Sequence, residues 1–265
     1  MKRIISLVLS LVLLSNIFAC QSNAVNNVND DLYKQITDKG QIAVAMEGTW
    51  APWTYHDEND KLVGFDTEVA TAIAEKLGVT ANFKEAEWDG LFAGLDSGRY
   101  DIVVNGVEET DERKQKYDFS TPYAYIKTAL IVRNDNDSIH TFEDLKGKTT
   151  ANSINSTYMY LAEEYGAEVK GVDSLDETLE MVLSGRADAT LNAEVSFYDY
   201  MKVHSDAPLK VIALTKEASN VSIPMRKGFN TQLLKTEIDK AIDELRKEGK
   251  LKELSMKYFN KNITD

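Results

Sequence analysis

The stretch with the clearest chemistry is Asn105 to Pro122, NGVEETDERKQKYDFSTP. It follows Tyr100-Asp-Ile-Val-Val-Asn105, an apolar run that reads as a buried parallel strand ending in a turn. Loops at the C-terminal ends of such strands are where open α/β sheets bind ligands. Gly106 lets backbone N–H groups approach a ligand closely. Arg113 carries a planar fork of donors suited to a carboxylate. The residues alone leave a second reading open, a surface arginine paired with Asp111 or Glu112.

Other spots have comparable chemistry. Ser156 and Thr157 open a predicted helix that ends at Gly166. Either hydroxyl can be a plain N-cap, and the helix N-terminus also offers unpaired N–H groups and a positive dipole end to an anion. Trp50, Trp53 and Trp88 are the chain's only tryptophans, and core packing is the commoner fate of so large an aromatic. Glu47 follows the first predicted strand, where a solvated loop carboxylate is equally natural.

Alternating strands and helices must position these groups. Strands are predicted over 41–46, 79–83, 100–105, 128–133, 149–153, 169–172, 187–192, 209–213 and 221–226. Between them lie helices from Asp66 or Thr67 to Leu77, from Trp88 to Gly98, from Leu175 to Leu183 and from Glu194 to His204. Thr231 to Lys247, capped by Asn230, and a short piece with Leu251, Leu254 and Tyr258 close the chain. Thr141 with Asp144 and Ser174 with Glu177 read as capping boxes. Pro224 argues for an edge or crossover position for its strand. The alternation implies mostly parallel, doubly wound sheets.

Composition narrows the class. Hydrophobic content of 43% and charged content of 28% are ordinary for a globular protein. A net charge of −13 speaks against a nucleic-acid surface. Lys2 and Arg3 precede an apolar run from Ile4 to Leu14 and then Ile17-Phe-Ala-Cys20, which reads as a secretory signal. Cys20 is the single cysteine, so no disulfide or thiolate metal framework exists. Its position resembles a bacterial lipobox, where the cysteine takes acyl chains such as palmitate and becomes the mature N-terminus. Phe18 departs from the small residue usual there, and ordinary cleavage leaving a free thiol is the alternative. Residues 21–31 are polar and suit a tether.

Five motifs fall in order across nearly all of residues 40–260: Glu47-Gly-Thr-Trp-Ala-Pro-Trp53, Gly64-Phe-Asp66, Thr110-Asp-Glu-Arg113, Tyr117-Asp-Phe-Ser-Thr-Pro-Tyr123 and Gly185-Arg-Ala-Asp188. Together they resemble the family 3 extracellular solute-binding proteins, which deliver polar amino acids to membrane transporters. The resemblance implies an α/β, two-lobed periplasmic-binding-protein fold, each lobe a mostly parallel sheet flanked by helices. Two crossover strands, Ala129–Arg133 and Ser222–Arg226, would join the lobes. The implied division is a signal peptide over 1–19, a lipidated tether over 20–38, a first lobe over 39–131 and 223–265, and a second lobe over 132–222.

The same resemblance assigns roles. Trp50 and Trp88 match ligand-sandwiching aromatics, with Trp53 a wall behind them; Asn105 and Gly106 match positions whose backbone binds the amino-acid head; Glu47 matches a side-chain contact. Arg113 and the Ser156-Thr157 turn would grip the α-carboxylate from opposite lobes. One departure matters. The aspartate that usually binds the α-ammonium is Ala193 here, with Glu194 next to it, while Glu108 stands where Ser or Thr is usual. Either Glu108 or Glu194 takes over the ammonium, with Glu108 favoured, or the ligand lacks one. Glu87-Trp-Asp-Gly-Leu91 and Asp96-Ser-Gly-Arg-Tyr-Asp101 look most like cystine-binding members, which points to L-cystine or L-cysteine. The expected protein is an exported, membrane-anchored monomer that serves an ABC transporter permease, with no cofactor or metal. Dehydratases and lytic transglycosylases on the same fold supply an enzyme alternative, yet His56, His140 and His204 fall outside the candidate site and no nucleophile–base pair is evident. A sensory input domain is the third class, and no transmembrane helix or kinase follows Asp265 to support it.

Overall fold

A computed structural model describes residues 31–265. Cys20, the signal segment and the start of the tether lie outside the described residues. The chain begins with α1 (Leu32–Lys39), capped by the Asp31 carboxylate, which accepts from the N–H groups of Tyr33 and Lys34. Leu32 and Ile36 are buried, so residues 32–38, expected in the tether, belong to the folded body. Next come β1 (Gln41–Met46), β2 (Thr49–Trp50), β3 (Thr54–His56), β4 (Leu62–Val63), α2 (Phe65–Lys76), β5 (Thr80–Glu85), α3 (Trp88–Asp96) and β6 (Ile102–Val103). After the Asn105 turn follow α4 (Asp111–Lys116), β7 (Tyr117–Phe119), β8 (Ala124–Ile126) and β9 (Thr128–Arg133). The second half holds β10 (Thr149–Ser153), α5 (Thr157–Glu164), β11 (Glu168–Val172), α6 (Leu175–Leu183), β12 (Ala189–Ala193), α7 (Glu194–Val203) and β13 (Leu209–Leu214). The chain then returns through β14 (Ser219–Val221) and β15 (Pro224–Arg226) to α8 (Gln232–Lys247) and α9 (Lys250–Phe259).

Two five-stranded sheets result, in the orders β5-β1-β6-β15-β7 and β11-β10-β12-β9-β13. Each has three parallel strands, the first sheet β5, β1 and β6, the second β11, β10 and β12. Beside these lies one antiparallel returning strand, β15 or β9. Apolar residues at helical spacing fix the layers. On α8, Leu234, Ile238, Ala241, Ile242 and Leu245 form one buried stripe. On α3, Leu91 and Leu95 pack with Ala45 and Val103 in a separate cluster on the first sheet.

The crossover lies elsewhere than expected. Ala129–Arg133 is part of β9, paired on both edges inside the second sheet. The segments that pass between sheets are β8 and β14, which pair antiparallel as a two-stranded ribbon. The boundary expected after 131 therefore moves, because residues 128–133 belong wholly to the second sheet. Residues 107–109 extend this ribbon: Ser222 N–H donates to the Val107 carbonyl at 3.0 Å, and Glu109 N–H to the Asn220 carbonyl at 2.9 Å. Pro224 opens β15, which lies between β6 and β7 rather than at an edge. As the first residue of its strand, Pro224 costs the ladder little. Thr231, not Asn230, takes the cap position of α8.

Candidate ligand-binding cleft

The C-terminal ends of the parallel strands in the two sheets face each other across an open cleft. All nine residues expected at the site line it: Glu47, Trp50, Trp88, Asn105, Gly106, Glu108 and Arg113 from the first lobe, Ser156 and Thr157 from the second. Glu47 directly follows β1 and Asn105 lies just past β6, so adjacent parallel strands deliver them side by side. They hold each other twice. Glu47 N–H donates to Asn105 Oδ1 at 2.8 Å, and Asn105 Nδ2 donates to Glu47 Oε2 at 2.6 Å. Burial pushes the Glu47 carboxyl up to about 7; the Asn105 bond opposes this and the charge of Glu87 adds to it.

Arg113 sits on α4, where its N–H donates to the capping Thr110 hydroxyl. The alternative partners are taken, since Asp111 pairs with Lys114 and Glu112 with Lys116. The guanidinium carbon lies 5.2 Å from the Trp88 ring centroid and 5.4 Å from that of Phe92, and Nη1 donates to the Glu108 carbonyl at 3.0 Å. Burial lowers its pKa, against the charge of Glu108. The result is a cation fixed by aromatic faces, with donors left for an anion.

Trp50 is 9% exposed and stacks on the fully buried Trp53, with centroids 5.3 Å apart and planes 16° from parallel. Gly106 has φ +56°, and a Cβ there would lie 2.5 Å from the Trp50 ring. Only glycine fits this turn. Its N–H, however, is not offered to the cleft: it donates to Asp66 Oδ2 at 2.6 Å. Of the backbone groups of Asn105 and Gly106 expected to bind the amino-acid head, this N–H is thus committed to Asp66, and the expectation of Asp66 as a helix cap is corrected. Asp66 lies inside α2, is fully buried, and also accepts from the Tyr123 hydroxyl at 2.8 Å. Burial pushes its carboxyl up to about 7, with the Tyr123 and Gly106 bonds pulling the other way.

Glu108 is 5% exposed, and its Oε1 accepts from the Thr157 hydroxyl at 2.5 Å, across the cleft from one lobe to the other. Ser156 is an N-cap as well as a cavity residue, accepting from Met159 N–H at 3.1 Å. Glu194 does not line the cavity; its buried carboxylate pairs with Lys261. Of the two carboxylates weighed near the vacant Ala193 position, only Glu108 reaches the cleft.

Several lining residues escape the sequence reading: Thr49, Ser153, Tyr158, Ser174, Leu175 and Asn192. Ser153 ends β10 and Asn192 lies near the end of β12, so the rule for strand ends could have found them. Tyr158 carried no such signal. Burial pushes its hydroxyl well above the ordinary value, helped by the Glu108 charge. Among the described residues no group of acidic, histidine or cysteine side chains could hold a metal, and no helix is long and apolar enough to cross a membrane.

Geometry and sequence now meet. Residues 42–261 match the model of the bacterial extracellular solute-binding proteins, family 3, and the chain belongs to that family. It is 36% identical, over 100% of both chains, to the L-cystine-binding protein TcyA of Bacillus subtilis. Among solved structures, it is similar to an L-cystine solute receptor of Neisseria gonorrhoeae in the unliganded open conformation, with 40% identity, a TM-score of 0.60, and coverage of 88% of this chain and 98% of that one. An ancestral arginine-binding protein bound to arginine superposes better, with a TM-score of 0.77 at 38% identity and coverage of 83% and 98%. The family is one of binding proteins, so capture without turnover is its business.

Proposed function

We propose that this protein captures a polar α-amino acid between its lobes and delivers it to an ABC importer, with L-cystine or L-cysteine as first candidate. The observation that carries the reading is the fixed Arg113 guanidinium in a cleft that also holds the Ser156-Thr157 helix start and the carboxylates of Glu47 and Glu108. A zwitterion needs one anchor of each sign. Arg113 supplies the cationic one and Glu108 the anionic one, in place of the side chain missing at Ala193. The similarity to cystine-binding relatives supports the choice of ligand, and the arginine-bound neighbour supports another polar amino acid as the alternative. A ligand bridging both lobes has more affinity for the closed form and so drives closure.

Calorimetry against a panel of amino acids, L-cystine, L-cysteine and L-arginine included, tests the reading. Binding should also change tryptophan fluorescence, since Trp50 and Trp88 line the cavity. If no α-amino acid binds, the reading is wrong; if a bound one is converted to product, the dehydratase-type alternative gains. We further propose that the protein works as a monomer held at the membrane by acylated Cys20. Stable anchoring takes two or more acyl signals. Cys20→Ser should release the protein from membranes, and mass spectrometry of the wild type should find lipid on Cys20.

A further inference from the structure

Asp66 is a carboxyl group in an expensive place. It is fully buried, and among the described residues it has no cationic partner; neutral donors alone hold it. An unpaired buried carboxylate costs more stability than an apolar side chain of similar size would. Its three attachments run to three different parts of the binding machinery. Its own N–H donates to the Trp53 carbonyl at 2.9 Å, fixing the loop whose Trp50 walls the cleft. Its Oδ2 accepts the Gly106 N–H at 2.6 Å, and its Oδ1 the Tyr123 hydroxyl at 2.8 Å. Tyr123 in turn donates its N–H to Val221 of the crossover strand β14 at 2.9 Å.

We infer that Asp66, within the amino-acid reading on which this inference rests, is a positioning residue for ligand capture: it pins the Asn105–Gly106 turn beneath Trp50 and ties that turn to the crossover ribbon. The turn has little freedom to be approximately right. Gly106 already touches the Trp50 ring at the limit of backbone approach, and Asn105 carries the Glu47 carboxylate. Release of the Gly106 N–H frees the turn to rotate, and Asn105, Glu47 and Trp50 lose their mutual register. Asp66 touches no ligand; it acts through residues that line the cavity.

The test uses the full chain, with one ligand-free measurement and one with ligand. In the ligand-free 15N-labelled protein, the Gly106 amide proton should be shifted downfield and protected from exchange. Asp66→Ala should move it upfield and speed its exchange. Asp66→Asn keeps a neutral acceptor and should give an intermediate shift; Tyr123→Phe should leave Gly106 protected. Titrations with L-cystine and with L-arginine should show at least about tenfold weaker binding for Asp66→Ala, and recovery to within about threefold of wild type for Asp66→Asn. Wild-type affinity in a folded Asp66→Ala protein overturns the inference. If that variant fails to fold, the isosteric Asp66→Asn decides: an unmoved Gly106 amide proton overturns it equally. Should the wild type bind no amino acid, the proposed function fails, while the Gly106 amide still decides whether Asp66 holds the turn.

Discussion

The two lobes share an architecture and divide the chemistry. Both sheets place three parallel strands beside an antiparallel returning strand, and both aim strand ends at the cleft. Yet among the described residues every charged side chain that lines the cavity, Glu47, Glu108 and Arg113, comes from the first lobe, as do Trp50 and Trp88. The second lobe brings hydroxyls and an amide: Ser153, Ser156, Thr157, Tyr158, Ser174 and Asn192. A fixed cation or carboxylate is costly to bury and must be braced; for Arg113 and Glu47 the bracing lies within the first lobe, in Trp88, Phe92, Asn105 and Thr110, while Glu108 is met across the cleft by Thr157. Neutral hydroxyls can exchange water for ligand at small net cost each time the cleft opens. The first lobe thus reads charge and the second completes the enclosure.

That division predicts a ranking of effects. Arg113→Ala removes the only cationic side chain lining the cavity among the described residues and should weaken amino-acid binding by about 2–5 kcal/mol in calorimetry. Full affinity would end the carboxylate role and the comparison with it. Glu108→Thr should cost nearly as much, and adding Ala193→Asp should restore part of the loss by moving the anion to the second lobe. Glu194→Gln, whose carboxylate is committed to Lys261, should change ligand affinity by no more than about 1 kcal/mol. Thr157→Val, from the second lobe, should cost about 1 kcal/mol as a lost hydrogen bond. A loss equal to that of Arg113→Ala would erase the distinction between the lobes.

A separate effect concerns stability rather than ligand affinity. Glu47 and Asp66 both titrate near 7 in the folded protein, against ordinary values of 4.5 and 3.8. Between about pH 4 and 7 the folded state therefore holds protons that the unfolded chain has released. This contribution is complete below the lower values and is lost as pH rises through 7. The Tm of the ligand-free protein should fall between pH 5 and pH 8, and Asp66→Asn should flatten part of that fall. Both groups belong to the first lobe, so the slope is a property of that lobe.

The sequence by itself determined a great deal. The alternation of apolar strands with capped amphipathic helices specified the α/β class, and Ser156 and Ser174 cap the helices they were expected to open. The nine residues expected there, singled out largely by the family resemblance, line one cavity, with Glu47 and Asn105 just past strand ends and Ser156 and Thr157 at a helix start. Tertiary structure decided the rest. Periodicity marks 128–133 as a strand but cannot say which sheet it joins; pairing with β12 and β13 put it in the second lobe and left the crossing to β8 and β14. Asp66 has the residue type and position of a helix cap, and became a brace because the Gly106 turn and Tyr123, distant in sequence, fold against it. Glu108 and Glu194 were equally acidic on paper. One met Thr157 across the cleft and the other met Lys261, because hydrogen-bond partners far apart in the chain are chosen by packing and not by local pattern.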